Sequence, residues 1–269
     1  MKTISILGCG WLGLPLAENL IQQGYDVKGS TTSDLKLSLL KEKSIEPYKI
    51  LLNPQLIDDN VEKFFDCDIL IINIPPFRRD DIVEFHFQQI ESIVKQVEKS
   101  NCRKVIFISS TSVYGNKNNE VDEDSKTFPE TLAGEALVIV ENYLRTRNSF
   151  DTTIIRFAGL IGPNRNPAKY ALSKNVIEFA DTPLNLIHLD DCIGIIKTVI
   201  EKNIVNEIIN GVCEHHPTRR EFYSATAEKL SLPKPEFSDG KEPYKIVKSK
   251  KISSLLNYQL KFPNPLDAI

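Results

Sequence analysis

The chain has 269 residues, of which 41% are hydrophobic and 26% charged, and a formal net charge of -3. That length suits one large α/β domain with an appended lobe, and the mild negative charge argues against a nucleic-acid surface. No apolar run is long enough to cross a membrane, and no charged-apolar-small signal pattern precedes the first apolar run.

Ile4-Ser5-Ile6-Leu7 is a short apolar run that suits a buried strand, and Gly8-Cys9-Gly10-Trp11-Leu12-Gly13 follows at once. Leu12, Leu16, Leu20 and Ile21 then recur at helical spacing. Strand, tight glycine turn and helix, in that order, let a pyrophosphate sit on the helix N-terminus. Gly8 permits the turn, Gly10 lets the backbone approach the phosphates, and Gly13 lets helix and strand pack closely. Trp11 and Leu12 complete the cofactor-facing turn.

Gly24 ends this helix, and residues 26–30 read as a second strand. A carboxylate about 20 residues past the glycines would take the ribose 2′-hydroxyl and disfavour a 2′-phosphate. This chain has Ser30-Thr31-Thr32-Ser33 there, with Asp34 slightly late and Lys36 beyond. Small hydroxyls with a nearby cation suit a 2′-phosphate, so NADP is expected in preference to NAD. The same stretch starts a helix, with Ser33 as its N-cap.

Residues 45–52 read as a third strand and Asp58 to Phe65 as a short helix. Residues 68–74 form the clearest buried parallel strand, apolar on both faces. Pro75-Pro76 stops it on the edge where strand ends face a ligand, which makes Asn73, Ile74 and Pro75 candidate cofactor contacts. A helix over Phe85 to Lys99 and a strand over 104–110 follow, and strands at 152–157 and 205–211 complete a doubly wound parallel sheet. The five cysteines (Cys9, Cys67, Cys102, Cys192, Cys213) show no C-x-x-C spacing and lie mostly in apolar stretches. They read as reduced core residues of a cytoplasmic protein. His215-His216 has no cysteine or carboxylate pattern beside it, so no metal site is expected.

Phe107 to Gly115, FISSTSVYG, resembles the strand-end motif of extended short-chain dehydrogenases/reductases, the superfamily of nucleotide-sugar epimerases and dehydratases. Arg156 to Pro163 (RFAGLIGP) resembles its R-x-x-x-x-x-G-P segment, Leu186 to Asp191 its I-H-x-x-D segment, and Ile208 to Val212 the strand that follows. The resemblance implies a Rossmann-type α/β fold, an NAD(P) cofactor and a small-molecule ligand, with Ser110 at the catalytic Ser/Thr position. It also implies a Tyr-x-x-x-Lys pair about 25 residues after the serine motif, with the tyrosine as general acid/base. Ala133 and Leu137 stand at those two places, and residues 126–142 contain no tyrosine. Leu7 replaces the first glycine of the usual G-x-x-G-x-x-G. Both departures resemble the atypical, epimerase-like branch that lacks the pair, and the tail segments at 216–222, 230–233 and 251–253 resemble it too.

Tyr114 is a candidate substitute acid, with packing as the alternative. Arg156, within a strand, is expected in a buried ion pair rather than on a ligand. Asn164 and Arg165 follow Gly162-Pro163 in the loop where sugar-nucleotide enzymes place substrate contacts, and the cation suits an anionic ligand. Asp190-Asp191 after His188 reads as the N-cap of a helix over Cys192 to Lys202. Lys248 to Lys251 reads as a solvated basic loop. The expected organisation is a dinucleotide-binding domain over 1–163 and 185–212, and a smaller lobe over 164–184 and 213–269 closing over the strand ends. Pro233 to Pro243 is the most linker-like stretch. Two functions fit: an NAD(P)-dependent oxidoreductase or sugar-nucleotide-modifying enzyme with a non-standard active site, or an NADP-binding sensor without chemistry.

Overall fold

A computed structural model describes residues 2–57, 61–165 and 176–269. Seven strands form one parallel sheet: β1 (Thr3–Leu7), β2 (Asp26–Thr31), β3 (Glu46–Lys49), β4 (Ile69–Ile72), β5 (Lys104–Ser110), β6 (Asp151–Phe157) and β7 (Ile208–Gly211). Their spatial order is β3-β2-β1-β4-β5-β6-β7. The strands are apolar on both faces because helices cover the sheet: all four residues of β4 are buried, as are Val105, Ile106 and Phe107 of β5. The chain winds outward from β1 to β3, then returns to place β4 on the other side of β1. That reversal opens a crevice above the carboxyl ends of β1 and β4, and it positions everything that follows.

Helix α1 (Gly13–Gln22) buries Leu16, Ala17 and Leu20 against the sheet. Pro15 is tolerated because it lies in the first turn, where its missing N–H costs no intrahelical bond. Helix α2 (Asp34–Glu42) follows β2, α3 (Glu62–Phe65) precedes β4, α4 (Ile82–Lys99) links β4 to β5, and α5 (Leu132–Arg145) precedes β6. Helix α6 (Leu189–Glu201) leads into β7, and α7 (Arg219–Lys229) follows it. Short parallel pairs lie outside the sheet: Leu186–His188 with Gly159–Ile161, Glu236–Phe237 with Val176–Ile177, and Lys245–Val247 with Asn119–Val121.

Several expected boundaries move, each for a local reason. The third strand is shorter than 45–52, because Leu52 turns to bridge Leu56. The last strand begins at Ile208 rather than 205, since Asn206 adopts φ 59° and spends its side chain on the Thr152 amide and Asp151. Helix α4 starts at Ile82, three residues before the expected Phe85. Asp58, the expected start of the short helix, lies outside the described residues, and the helix runs over Glu62–Phe65. The stretch from Pro233 to Pro243 is no free linker. It contains the Glu236–Phe237 strand, Asp239 accepts from Arg220, and the Gly240 amide donates to Asp181.

Candidate functional site

The glycine turn is gripped from both neighbouring strands. The Gly8 amide donates to Ser30 Oγ at 2.9 Å and the Cys9 amide to the Ser30 carbonyl at 2.8 Å. From the other side, Asn73 Nδ2 donates to the Gly8 carbonyl at 2.9 Å, and the Asn73 amide to Leu7 at 2.9 Å. Gly8 has φ 105°, and a Cβ there would lie 2.6 Å from the Asn73 carbonyl. A Cβ on Gly13 would lie 2.2 Å from the Gly8 carbonyl oxygen, so strand and helix meet where only glycine fits. Gly10 is different: it is exposed, and a Cβ there would meet nothing within 4 Å. The turn therefore presents open backbone at Gly10, ahead of a helix N-terminus whose first amides lack intrahelical partners.

Two clefts meet at Gly10. The larger, about 470 Å³, runs from Gly10, Trp11 and Leu12 past Asn73, Pro75 and Pro76 to Ser109, Ser110, Leu137, Gly159 and Arg165. The smaller, about 180 Å³, is lined by Gly8, Ser30, Thr31, Thr32, Lys36, Ile74, Phe77 and Gln89, among others. Among the described residues, Arg165 is the one charged side chain lining the larger cleft and Lys36 the one lining the smaller. Among the described residues, neither cleft is lined by a carboxylate. Asp34, the late acid of the sequence, instead pairs with Lys49 at 2.8 Å. A wider depression of about 560 Å³ lies at the other end of the sheet, beside Asp66 and Asn101, away from the glycine turn.

Most candidate residues converge here, in different roles. Ser30 and Thr31 are buried, and their oxygens accept from the backbone, Ser30 from Gly8 and Thr31 from Ser33 at 3.2 Å. Thr32 and Lys36 are the exposed pair at that end. Ser110 ends β5 and accepts from the Ser112 amide at 3.1 Å, which leaves its O–H to donate into the larger cleft. Pro163 and Asn164 (φ 59°) form the centre of a turn closed by reciprocal Gly162–Arg165 backbone bonds of 3.0 and 3.1 Å, the signature of a type II turn. Trp11 Nε1 donates to the Pro163 carbonyl at 2.8 Å, and the Arg165 guanidinium lies 5.2 Å from the Trp11 ring centroid. The turn is thus tied to the glycine loop, and Arg165 is carried over the cleft. Asn164 itself does not line it.

Of the two roles open to Tyr114, substitute acid or packing residue, its surroundings match packing. It is 1% exposed and off the cleft, because its phenol is enclosed in a buried network. Its hydroxyl accepts from Arg156 Nη1 at 2.8 Å and donates to Asn210 Oδ1 at 3.0 Å. Arg156 pairs with Glu141, Nε to Oε1 at 3.0 Å, and Glu141 also accepts from Ser109 at 2.6 Å. Burial pushes the Tyr114 phenol above its ordinary value, which removes it further from acid chemistry near neutrality. Ala133 and Leu137 both lie on α5, and Leu137 lines the larger cleft beside Ser110. Burial likewise pushes the Cys9 thiol, at the smaller cleft, up to about 12, leaving it inert.

His188, rather than Asp190 or Asp191, caps α6: its ring nitrogen accepts from the Asp190 amide at 3.2 Å. The buried Asp191 instead accepts from the Lys261 and Phe262 amides at 2.7 and 3.0 Å and from Tyr258 at 3.0 Å, pinning the C-terminal segment. The basic run is not free either, since Lys250 pairs with Asp122 and Asp124 and Lys251 with Glu207. Sequence reasoning missed Gln89 and Phe77 at the smaller cleft. They sit on α4 and the loop before it, and neither carries a motif that would have marked it.

Residues 8–184 match the family described as NAD(P)H-binding. Protein YeeZ of Escherichia coli (strain K12) is 32% identical over 99% of this chain and 98% of its own length. The UDP-glucose 4-epimerase of Thermotoga maritima, solved with UDP-glucose, superposes with a TM-score of 0.82 at 17% identity, over 99% of this chain and 96% of that one. The UDP-glucuronic acid 4-epimerase of Bacillus cereus, solved in complex with NAD, gives 0.78 at 21% identity, over 99% and 96%. No helix among the described residues is long and apolar enough to cross a membrane.

Proposed function

The chain belongs to the NAD(P)H-binding family, and from that premise we propose that it is an epimerase/dehydratase-like oxidoreductase with a non-standard active site, taking NADP in preference to NAD. The observation that carries this reading is the pair of clefts joined at Gly10, each lined by one cation and no carboxylate among the described residues. A nicotinamide cofactor supplies a hydride donor or acceptor when bound. Gly10, Trp11 and Leu12 hold its pyrophosphate at the start of α1, where the helix dipole and unpaired amides favour negative charge. Thr32 and Lys36, backed by Ser30 and Thr31, take the ribose 2′-phosphate that an acid at this place would repel. Asn73, Ile74 and Pro75 line the middle of the crevice.

Ser110 donates its hydroxyl to an oxygen of a small-molecule ligand, and Arg165, carried by the Asn164 turn, takes an anionic group of the same ligand. With Ala133 and Leu137 in place of tyrosine and lysine, the proton in such a reaction comes from the ligand or from solvent. We assign 1–163 and 185–212 to the cofactor-binding domain, and 164–184 and 213–269 to the lobe on the substrate side. The five free, buried cysteines support a reducing, cytoplasmic compartment. A second reading, an NADP-binding sensor without chemistry, is favoured by the lining of the larger cleft, where no described side chain titrates near neutrality.

Trp11 is the only tryptophan of the chain and sits in the proposed pocket, so its fluorescence reports binding directly. Titration with NADPH, NADP, NADH and NAD is expected to show the phosphorylated forms binding at least about tenfold tighter, a difference of about 1.4 kcal/mol. Lys36→Ala should erase that preference without weakening NAD. Binding by none of the four would overturn the reading. If NADPH binds, oxidation of NADPH in a screen of nucleotide sugars and other carbonyl compounds separates the enzyme from the sensor.

A further inference from the structure

Gly10 lines both clefts, and the side chain of the next residue leaves the glycine turn for the turn at Gly162–Arg165. That second turn stands at the surface, with Pro163, Asn164 and Arg165 all exposed. Its floor is fixed. A Cβ on Gly162 (φ 148°) would lie 3.1 Å from Leu189 Cβ and 3.2 Å from His188 Nε2. The His188 ring in turn packs on Phe262, with centroids 4.3 Å apart. The Trp11 indole closes the other side, its Cζ2 3.2 Å from the same point. Among the described residues, the hydrogen bond that reaches Pro163 from outside the turn is the one from Trp11 Nε1, at 2.8 Å. The Arg165 guanidinium lies 5.2 Å from the same ring centroid, within range of a cation–π contact. At its backbone, Trp11 belongs to the opening of α1. The Gly10 carbonyl accepts from the Leu14 amide at 3.0 Å, so residue 11 stands in the first turn, where amides lack intrahelical partners.

We propose that Trp11 is the positioning residue for Arg165, so that a cofactor on the glycine turn and an anionic ligand on Arg165 strengthen each other's binding. The inference rests on the reading that the cofactor pyrophosphate sits at Gly10, Trp11 and Leu12. A pyrophosphate there takes the amides that open α1 and restrains the backbone of Trp11. The indole is then held, the Pro163 carbonyl is held through it, and Arg165 is fixed over the larger cleft before the second ligand arrives. That ligand no longer loses affinity to the ordering of the turn, which is the gain preorganisation brings. Linkage makes the effect reciprocal, and an anion on Arg165 tightens the cofactor by the same factor. No contact between the two ligands is needed. A phenylalanine at residue 11 would keep a ring against Gly162 but has no N–H to donate to the carbonyl.

Trp11 is the only tryptophan, so the full chain labelled with nitrogen-15 gives a single indole N–H resonance whose exchange with water reads the tie directly. Saturating NADPH is expected to slow exchange of that N–H and of the Gly162 and Arg165 amides together. The slowing should be at least about fivefold, the lower end of what coupled sites show. In Trp11→Phe the two amides should exchange faster than in the wild type. Saturating NADPH, its binding followed by its own fluorescence, should then slow them by less than about twofold. Two results overturn this inference alone. In one, NADPH binds the wild type and the indole N–H exchanges as before. In the other, NADPH slows the amides equally in Trp11→Phe, the mark of direct shielding by the cofactor. Failure of NADPH to bind the wild type would overturn the inference together with the reading beneath it. The indole measurement needs no variant, so poor folding of Trp11→Phe would leave the result decisive.

Discussion

The glycine turn over β1 and the polar network behind β5 stand at the same end of the sheet, yet they use their hydrogen-bonding groups in opposite ways. In the turn, Ser30 and Asn73 hold the backbone from either side, and Gly10 remains open with nothing within 4 Å of where a side chain would begin. In the network, Glu141, Arg156, Tyr114 and Asn210 satisfy one another out of reach of solvent. One region leaves its backbone open to a cleft, where we propose a polar ligand binds, and the other closes a core. The lesson is that a motif residue such as Tyr114 takes its role from whether its polar atoms are already committed.

The largest effect expected from breaking this contrast comes from Glu141→Ala. Arg156 would be left charged and unpaired in the core, a loss of about 3–5 kcal/mol. Urea unfolding should show it, while NADPH affinity of the folded fraction stays unchanged. Unaltered stability would mean that the pair does not hold the core.

Two glycine variants sharpen the other side. Gly13→Ala pushes a methyl into the Gly8 carbonyl and should cost about 1–3 kcal/mol or more, together with cofactor binding. Gly10→Ala has room, so its stability should change by less than about 0.5 kcal/mol, yet its methyl should weaken NADPH at least about tenfold, or about 1.4 kcal/mol. Equal behaviour of the two variants would erase the distinction between packing and receiving.

Tyr114→Phe strands Arg156 Nη1 and Asn210 Oδ1, a cost of about 1–2 kcal/mol. Cofactor affinity, and turnover if a substrate is found, should be unaffected. A collapse of turnover with intact stability would return Tyr114 to the active site.

The smallest effect lies outside both regions, and it is read by pH. Burial lowers His216 from 6.5 to about 4 and also lowers His86. Between those values the unfolded chain binds a proton that the folded chain refuses. The stability is therefore fully present above 6.5 and is lost as the pH falls toward 4. His216→Gln should flatten the fall in urea midpoint between about pH 7 and about pH 5. A wild-type midpoint independent of pH across that window would contradict the burial argument.

Much of the fold is legible in the sequence. The apolar run at Ile69–Ile72 and the glycine turn with its flanks carry their own local physics, burial on two faces in one case and backbone freedom in the other. The His188 cap was less legible, because a histidine and two aspartates can each take that position and only the backbone geometry chooses. Gln89 and Phe77 were invisible, since nothing in their neighbourhood along the chain marks them. Tyr114 is visible as a motif residue, but the choice between reagent and packing residue depends on Arg156 and Asn210, which lie 42 and 96 residues away along the chain.

The sequence by itself determined the alternation of strands and helices, the glycine turn and the absence of an acid where a ribose hydroxyl would be read. Those features depend on residues within a few positions of one another, so local periodicity and backbone sterics suffice. Tertiary structure alone decided which polar groups remain available. Arg156 meets Glu141 across 15 residues, Tyr114 meets Asn210 across 96, and Trp11 reaches Pro163 across 152. A hydrogen bond formed over such distances in the chain depends on how the layers pack, and it is those bonds that separate an open cleft from a closed core.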